Sequence, residues 1–317
     1  MGKKMCYVYI AAFFAVLLIP LLAYPLLRTR LDLTNYENRE LSTIKDVVDS
    51  KWSDFFPNFE VYFKDHIPYK NESVDIINKM DEVIFHDMFN RSVIVGKDGW
   101  LFYKGENCIQ DYRGGYILSE QELKEYTAAA NKLNIVMGKM GIKLYIMITP
   151  NKETIYGDKF LPDKVVKHSN YSRADQIVGY LHENTNISIV YPKKELTDAA
   201  SVAQVWRKYD THWNELGAFV ASQSLLSALG YESRDLGNVE YTKNGKCSGD
   251  LANMLGMVTK YSDDDIYKII GYNQQVNFEV TEWVEQSNLS YARGESDVEN
   301  EAKILLIGDS FLGLMEG

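Results

Sequence analysis

The sequence predicts an α/β fold, a mostly parallel sheet with helices on both faces, carried behind one N-terminal apolar helix. Three observations predict it. From Ser119 onward, stretches of helical periodicity alternate with short apolar runs rich in β-formers, the pattern of strands buried between helix layers. Conspicuous polar residues follow three of these runs, at Thr149-Pro-Asn-Lys152, Tyr209-Asp-Thr-His-Trp213 and Gly308-Asp-Ser-Phe311, and in open α/β sheets chemistry collects at the carboxyl ends of strands. An uncharged run precedes all of this at the N-terminus.

That run extends from Cys6 to Leu27, about the 20 residues a helix needs to cross a hydrocarbon core. It is long for the apolar part of a cleaved signal peptide, and no clear small-x-small cleavage site follows it. Residues 1–5 are therefore expected as a cytoplasmic tail and 6–27 as an uncleaved transmembrane signal-anchor. Lys3 and Lys4 precede the run while Arg28 and Arg30 follow it, so charge alone does not settle its orientation.

Residues 28–90 read as a helical neck, in which Trp52, Phe55, Phe56, Phe59, Tyr62 and Phe63 recur at three- and four-residue spacings and are expected to pack. Residues 91–317 form the body. A turn at Gly96-Lys97-Asp98-Gly99 between Ser92-Val93-Ile94-Val95 and Trp100-Leu101-Phe102-Tyr103 predicts a hairpin. Ser119 and Glu122 form a capping box, and Leu123, Tyr126, Ala130, Leu133, Met137 and Met140 fall on one face of the helix it starts. Gly141 stops that helix, and Lys143 to Ile148 follows as a strand. Ser172 to Asn184 repeats the helix, with Ile187 to Val190 as its strand. Val205 to Tyr209 is strand-like, Trp213 to Leu229 is a helix closed by Gly230, and Lys303 to Ile307 is a buried strand after an acidic loop from Gly294 to Glu301.

The chain carries 44 acidic and 34 basic residues, a formal net charge of −10. With no basic tract, this argues against nucleic acid or an anionic lipid surface as partner. Of three cysteines, Cys6 lies in the apolar run; Cys108 and Cys247 are either a disulfide or two buried thiols.

Gly308-Asp309-Ser310 sits where a buried strand should turn into a helix, a place where a serine hydroxyl can be held beside backbone N–H groups. By itself such a Ser is more often a turn residue or helix cap. It needs a base. His66, His86, His168 and His182 lack an acidic loop setting, whereas His212 follows Asp210 by two residues. A carboxylate there can orient the imidazole and stabilise its charged form, leaving the other nitrogen to take a serine proton. Asp210 and His212 lack an obvious third ligand for a metal site, and neither a cofactor nor a metal is expected.

Asp-x-His-Trp-Asn-x-x-Gly-Ala at 210–218, followed by an apolar run and Gly-Asp-Ser-Phe at 308–311, resembles the SGNH hydrolase-like family of AlgX/AlgJ-type and DHHW proteins that serve alginate and exopolysaccharide O-acetylation. Glu37 to Leu41, Phe59 to His66, Val95 to Tyr103, Pro150 to Tyr156 and Gly249 to Leu255 are similar to further landmarks in that family's order. The resemblance implies a circularly permuted, flavodoxin-like doubly wound sheet of the SGNH type, in which Asp and His precede Ser. Ser310 would be the nucleophile, His212 the general base and acid, and Asp210 its orienting partner, with an oxyanion hole made partly by N–H groups of the 308–311 turn. The implied activity is O-acetylation of an exported polysaccharide outside the cytoplasm, in the periplasm or extracellular space, with a multi-pass membrane O-acyltransferase as acyl donor. A carbohydrate acetylesterase, or a non-catalytic glycan-binding or assembly component, are the alternatives. The helix expected after the Gly-Asp-Ser turn has no room before Gly317, so the domain is expected to be incomplete at its C-terminus.

Overall fold

A computed structural model describes residues 3–27, 29, 31, 41–73, 76–77, 92–271, 278–286, 289–296 and 304–312. The apolar run folds as α1 (Lys3–Leu27). Among the described residues no helix is long and apolar enough to cross a membrane, so the anchor remains an expectation from sequence.

In the neck, Thr43 and Asp46 form a capping box that starts α2 (Ile44–Val48), and α3 (Phe55–Asp65) folds back on it. The Ser42 N–H donates to the Asp65 carboxylate at 2.8 Å, and the Asn58 side chain donates to the Asp46 carbonyl at 3.2 Å. The aromatic repeat stacks on itself: Phe55 on Phe59 and Phe59 on Phe63, each with centroids 6.3 Å apart. Four-residue spacing puts these rings on one helix face, but Trp52, Phe56, Phe59 and Phe63 are exposed, not packed into a core. The Glu37–Leu41 landmark and most of 74–91, with His86, lie outside the described residues, Leu41 excepted.

The body begins with the expected hairpin, β1 (Val93–Val95) antiparallel to β2 (Leu101–Tyr103). Its turn passes through positive φ at Asp98 and Gly99, 54° and 74°; the glycine takes that conformation without a Cβ penalty. After α4 (Cys108–Tyr112) comes α5 (Glu120–Lys139), started by the expected Ser119–Glu122 capping box. Its covered face differs from the one expected: Thr127 is buried, and Leu123, Ala130 and Met137 are half-covered, while Tyr126, Leu133 and Met140 are exposed. The stripe facing α7 is thus rotated toward small and polar positions.

β3 (Tyr145–Met147) leads into α6 (Lys152–Phe160), and α7 (Arg173–Asn184) leads into β4 (Ser188–Val190), which pairs with β3 in parallel. α8 (Lys193–Ala200) and α9 (Glu215–Leu229) follow, then β5 (Tyr241–Cys247), α10 (Asp250–Leu255), β6 (Asp264–Ile269), β7 (Phe278–Gln286) and β8 (Leu289–Ser296). Among the described residues the strands form four two-stranded sheets, of which only β3–β4 is parallel. The single mostly parallel sheet expected from sequence is not continuous there. Residues 304–308 are not a strand, and Ile304, Leu305, Leu306 and Ile307 are exposed. Apolar composition favours a strand only where a neighbour supplies ladder partners. Gly294 to Ser296, expected as the start of an acidic loop, belong to β8.

Val205 to Tyr209 is likewise not a strand. Trp206 makes one bridge, to Trp213, and so closes a loop on itself. Both tryptophans are fully buried in a core with Trp100, Phe102, Tyr156, Phe160, Leu196 and Leu216. Trp100 stacks on Phe160 at 4.4 Å. The loop is fixed to α9 by Asn214, itself fully buried, whose side-chain oxygen accepts the N–H groups of Leu216 and Gly217 at 3.1 Å each. This is an N-cap, which satisfies two donors that the helix cannot. A Cβ on Gly217 would lie 2.1 Å from the Val205 carbonyl oxygen, so only glycine lets the helix approach this closely.

Candidate active site

The loop between Trp206 and Trp213 is held by its own backbone. The Arg207 N–H donates to the His212 carbonyl at 3.1 Å, and the Trp206 indole N–H donates to the Thr211 carbonyl at 2.9 Å. Within it, the Asp210 side chain turns back on His212: one carboxylate oxygen accepts the His212 backbone N–H at 2.9 Å and lies 2.6 Å from ring Nδ1. One acidic oxygen therefore fixes both the backbone and the ring of the histidine.

α10 supports this loop from outside. The N–H of Asp250 donates to the second Asp210 oxygen at 3.0 Å, and that of Leu251 to the Tyr209 carbonyl at 3.1 Å. The Asp250 carboxylate accepts the Thr211 N–H at 2.8 Å and also the Thr211 hydroxyl. A Cβ on Gly249 would meet the Tyr209 carbonyl oxygen at 2.4 Å and Asp210 Cβ at 2.6 Å; glycine is what lets the two segments touch.

Ser310 arrives from 98 residues away, and its hydroxyl lies 2.6 Å from His212 Nε2. Phe311 clamps the turn: its ring lies 4.8 Å from the His212 ring and 4.9 Å from Trp213, and its carbonyl accepts the Trp213 indole N–H at 3.1 Å. The three residues singled out from sequence, Asp210, His212 and Ser310, thus stand in one hydrogen-bonded row. The N–H groups of Phe311 and Leu312 are engaged by Asp309, through its side chain and its carbonyl, each at 3.0 Å.

Electrostatics follow the geometry. Burial alone would push the Asp210 carboxyl up, but hydrogen bonds from the His212 ring and backbone and from the Asp250 N–H bring it below the usual carboxylate range. The Asp210 hydrogen bond outweighs partial burial at His212 and raises its imidazole above the ordinary value. Burial and the neighbouring Asp210 charge push Asp250 up.

Three residues of this site carry no role in the sequence reading: Asp250, Lys152 and Glu153. Lys152, first residue of α6, is 2% exposed, and its ammonium reaches the carbonyls of Leu101, Lys208 and Asp210 at 2.7, 2.9 and 2.9 Å. Burial lowers it to about 8, against the pull of Glu153, Asp210, Asp250 and Asp264. Burial likewise raises Glu153, which accepts the Tyr103 N–H at 3.2 Å. The available signal was a Lys-Glu pair at the start of the helix that follows an apolar strand, and an Asp after a glycine at a helix start, both polar where the core should close.

Asp210, His212 and Asp250 place their ligand-type atoms within 4.8 Å of one another. His212 spends one ring nitrogen on Asp210 and the other on Ser310, so an ion among the three would cost the histidine its present bonds. Cys108 and Cys247 are free thiols: burial pushes Cys108 up to about 12, and Cys247 accepts from Arg207 at 2.7 Å. A cavity of about 710 Å³ between α8 and α9, beside Val190 and Arg234, is lined by none of Asp210, His212 and Ser310.

A family model, the SGNH hydrolase-like domain of the acetyltransferase AlgX, matches residues 93–314. The protein described as "Probable alginate O-acetylase AlgJ" of Pseudomonas syringae pv. tomato is 26% identical over 270 residues, covering 83% of this chain and 63% of that protein. Its namesake in Pseudomonas aeruginosa is 25% identical over 170 residues, 53% of this chain and 40% of its own length. The chain therefore spans less than two thirds of the curated relatives it matches. Among solved structures, the O-acetyltransferase domain of Pseudomonas putida AlgJ is 22% identical, with 57% of this chain and 66% of that one covered at a TM-score of 0.40. For Bacillus cereus PatB1 the values are 17%, 56%, 57% and 0.41. With the family match running from the first strand of the hairpin to beyond the serine turn, the chain belongs to the family of the SGNH hydrolase-like domain of acetyltransferase AlgX.

Proposed function

We propose that this chain is a membrane-anchored, extracytoplasmic serine O-acyltransferase of the SGNH type that acetylates an exported polysaccharide. One observation carries the reading: the His212 ring lies 2.6 Å from Asp210 on one side and 2.6 Å from Ser310 on the other. The family and the O-acetylase descriptions of its relatives support the acetyl group and the polysaccharide class. Ser310 Oγ attacks the acyl carbonyl while its proton passes to His212 Nε2; the proton then goes to the departing group of the donor as its acyl bond breaks. In the second half, a sugar hydroxyl attacks the Ser310 ester, gives its proton to His212, and Ser310 regains a proton as the acetylated sugar leaves. Water in place of the sugar would make the same site an acetylesterase. Ser310 is exposed, which suits a macromolecular acceptor, and a multi-pass membrane O-acyltransferase is the proposed source of acyl groups. The finer fold belonging to this reading is the circularly permuted, doubly wound SGNH arrangement.

Incubation with a chromogenic acetyl ester, followed by peptide mass analysis, should find an acetyl group on the Ser310 peptide. A chain acetylated elsewhere, or nowhere while folded, would favour the non-catalytic glycan-binding component.

The anchorage and location rest on the uncharged run from Cys6 to Leu27. Protease added to spheroplasts should remove the body and leave the N-terminal segment in the membrane fraction; complete protection of the body would reverse the proposed topology.

A further inference from the structure

Lys152 holds the loop that carries Asp210 and His212. Its ammonium has three N–H bonds and three carbonyl acceptors at 2.7 to 2.9 Å, one on β2 at Leu101 and two on the loop at Lys208 and Asp210. All three donors are spent. The faces of Trp100 and Phe102, 5.2 and 5.3 Å from Nζ, close the site with aromatic rings. A cation brought to 2% exposure is retained only against a heavy desolvation cost. A side chain that merely filled this space would be apolar. What the ammonium does that an apolar group cannot is tie the hairpin to the backbone carbonyl of Asp210, the residue whose carboxylate reaches His212.

We infer that Lys152 is a positioning residue for the Asp210–His212 pair. With the Asp210 carbonyl fixed by Lys152 and its carboxylate fixed by the Asp250 N–H, the residue has both ends tied, and the carboxylate oxygen stays aimed at Nδ1. Lys152 touches no reacting atom and acts through Asp210. Losing it frees the loop to shift by a fraction of an ångström, and a displacement near 1 Å can cost about 10²-fold in rate.

The inference rests on the acyl-transfer reading above, so its test separates the two. The acylation rate of Ser310 by a fluorophosphonate probe and the kcat and KM for a chromogenic acetyl ester are measured in the parent, Lys152→Met, Asp210→Ala and the double variant. Lys152→Met is expected to slow acylation about 10- to 100-fold with KM nearly unchanged. In the Asp210→Ala background the same change should cost under about 3-fold, because groups acting as a unit are not additive. An equal loss in both backgrounds, as general loosening of the core would give, overturns the inference, and so does a Lys152→Met variant as fast as the parent. If Lys152→Met is not folded by circular dichroism, Lys152→Gln, which keeps two donors, takes its place in the same cycle. If the parent itself is not acylated, the acyl-transfer reading fails alone, and the proton NMR signal of His212 Nδ1–H then decides: it should shift or broaden in the Lys152 variant, and an unchanged signal overturns the positioning role.

Discussion

Ser310→Ala and His212→Ala are each expected to lower turnover of a model acetyl ester by about 10⁴-fold or more, leaving the fold intact. The physical reason lies in what each atom must do. A serine hydroxyl is a poor nucleophile until its proton has somewhere to go, and the acceptor has to lie within hydrogen-bond reach in the right tautomer. His212 Nε2 is 2.6 Å from Ser310 Oγ, and Nδ1 is held by Asp210, which leaves Nε2 as the lone-pair nitrogen. Removing the hydroxyl removes the ester intermediate; removing the ring leaves the hydroxyl protonated. Either change stops the same step, so the double variant Ser310→Ala plus His212→Ala should be at most a few-fold slower than either alone. Ser310 is exposed, so its loss leaves no cavity, and thermal unfolding of Ser310→Ala should match the parent. A His212→Ala variant with full turnover would show that His212 is not the base that takes the Ser310 proton.

The site was more legible in the sequence than the sheet that should carry it. Asp210 and His212 are two residues apart, a spacing at which the loop alone can bring a carboxylate to an imidazole, whereas Gly308-Asp-Ser310 is a weak signal by itself and gained its role from its pairing with Asp210 and His212 and from the family resemblance. Asp250 and Lys152 were not legible as site residues because their roles are long-range: Asp250 acts across 40 residues on Asp210 and Lys152 across 58, and no periodicity announces such a contact. The hairpin at β1–β2 and the helix starts at Ser119 and Ser172 were readable because turn and cap chemistry is local. Val205 to Tyr209 misled for the opposite reason. Its β-formers look like a strand, yet Trp206 and Trp213 are large enough to form a core across a closed loop, with ring centroids 6.0 Å apart, and burial took precedence over ladder pairing. The apolar residues Ile304 to Ile307 also read as a strand by composition, yet among the described residues they pair with no strand and are exposed.

Asp210→Asn should change the pH profile as well as the rate. The general base works only as neutral imidazole, so kcat/KM is expected to climb as pH rises through the His212 pKa and level off above it. In the parent that pKa is raised, chiefly by the Asp210 hydrogen bond and then by its charge, so the climb should lie above the pH of an ordinary histidine. Asparagine removes the negative charge, and the acid limb should move to lower pH. The plateau should fall too, by about 10³- to 10⁴-fold, because an amide N–H facing Nδ1 favours the tautomer whose Nε2 is already protonated and unable to accept from Ser310. Stability carries the same signature with defined signs. A histidine whose folded pKa is raised stabilises the fold below its unfolded pKa and loses that contribution as pH rises through the folded value; an aspartate whose folded pKa is lowered stabilises above its unfolded pKa and loses it as pH falls through the folded one. His212 and Asp210 are such a pair, so the parent should exceed Asp210→Asn in stability most clearly between those two ranges, in mildly acidic buffer, by denaturant unfolding. Asp250 is the internal comparison: its carboxylate is 3.8 Å from His212 Nδ1, against 2.6 Å for Asp210, so Asp250→Asn should shift the acid limb less. An acid limb that stays in place in Asp210→Asn but moves in Asp250→Asn would make Asp250 the partner of His212.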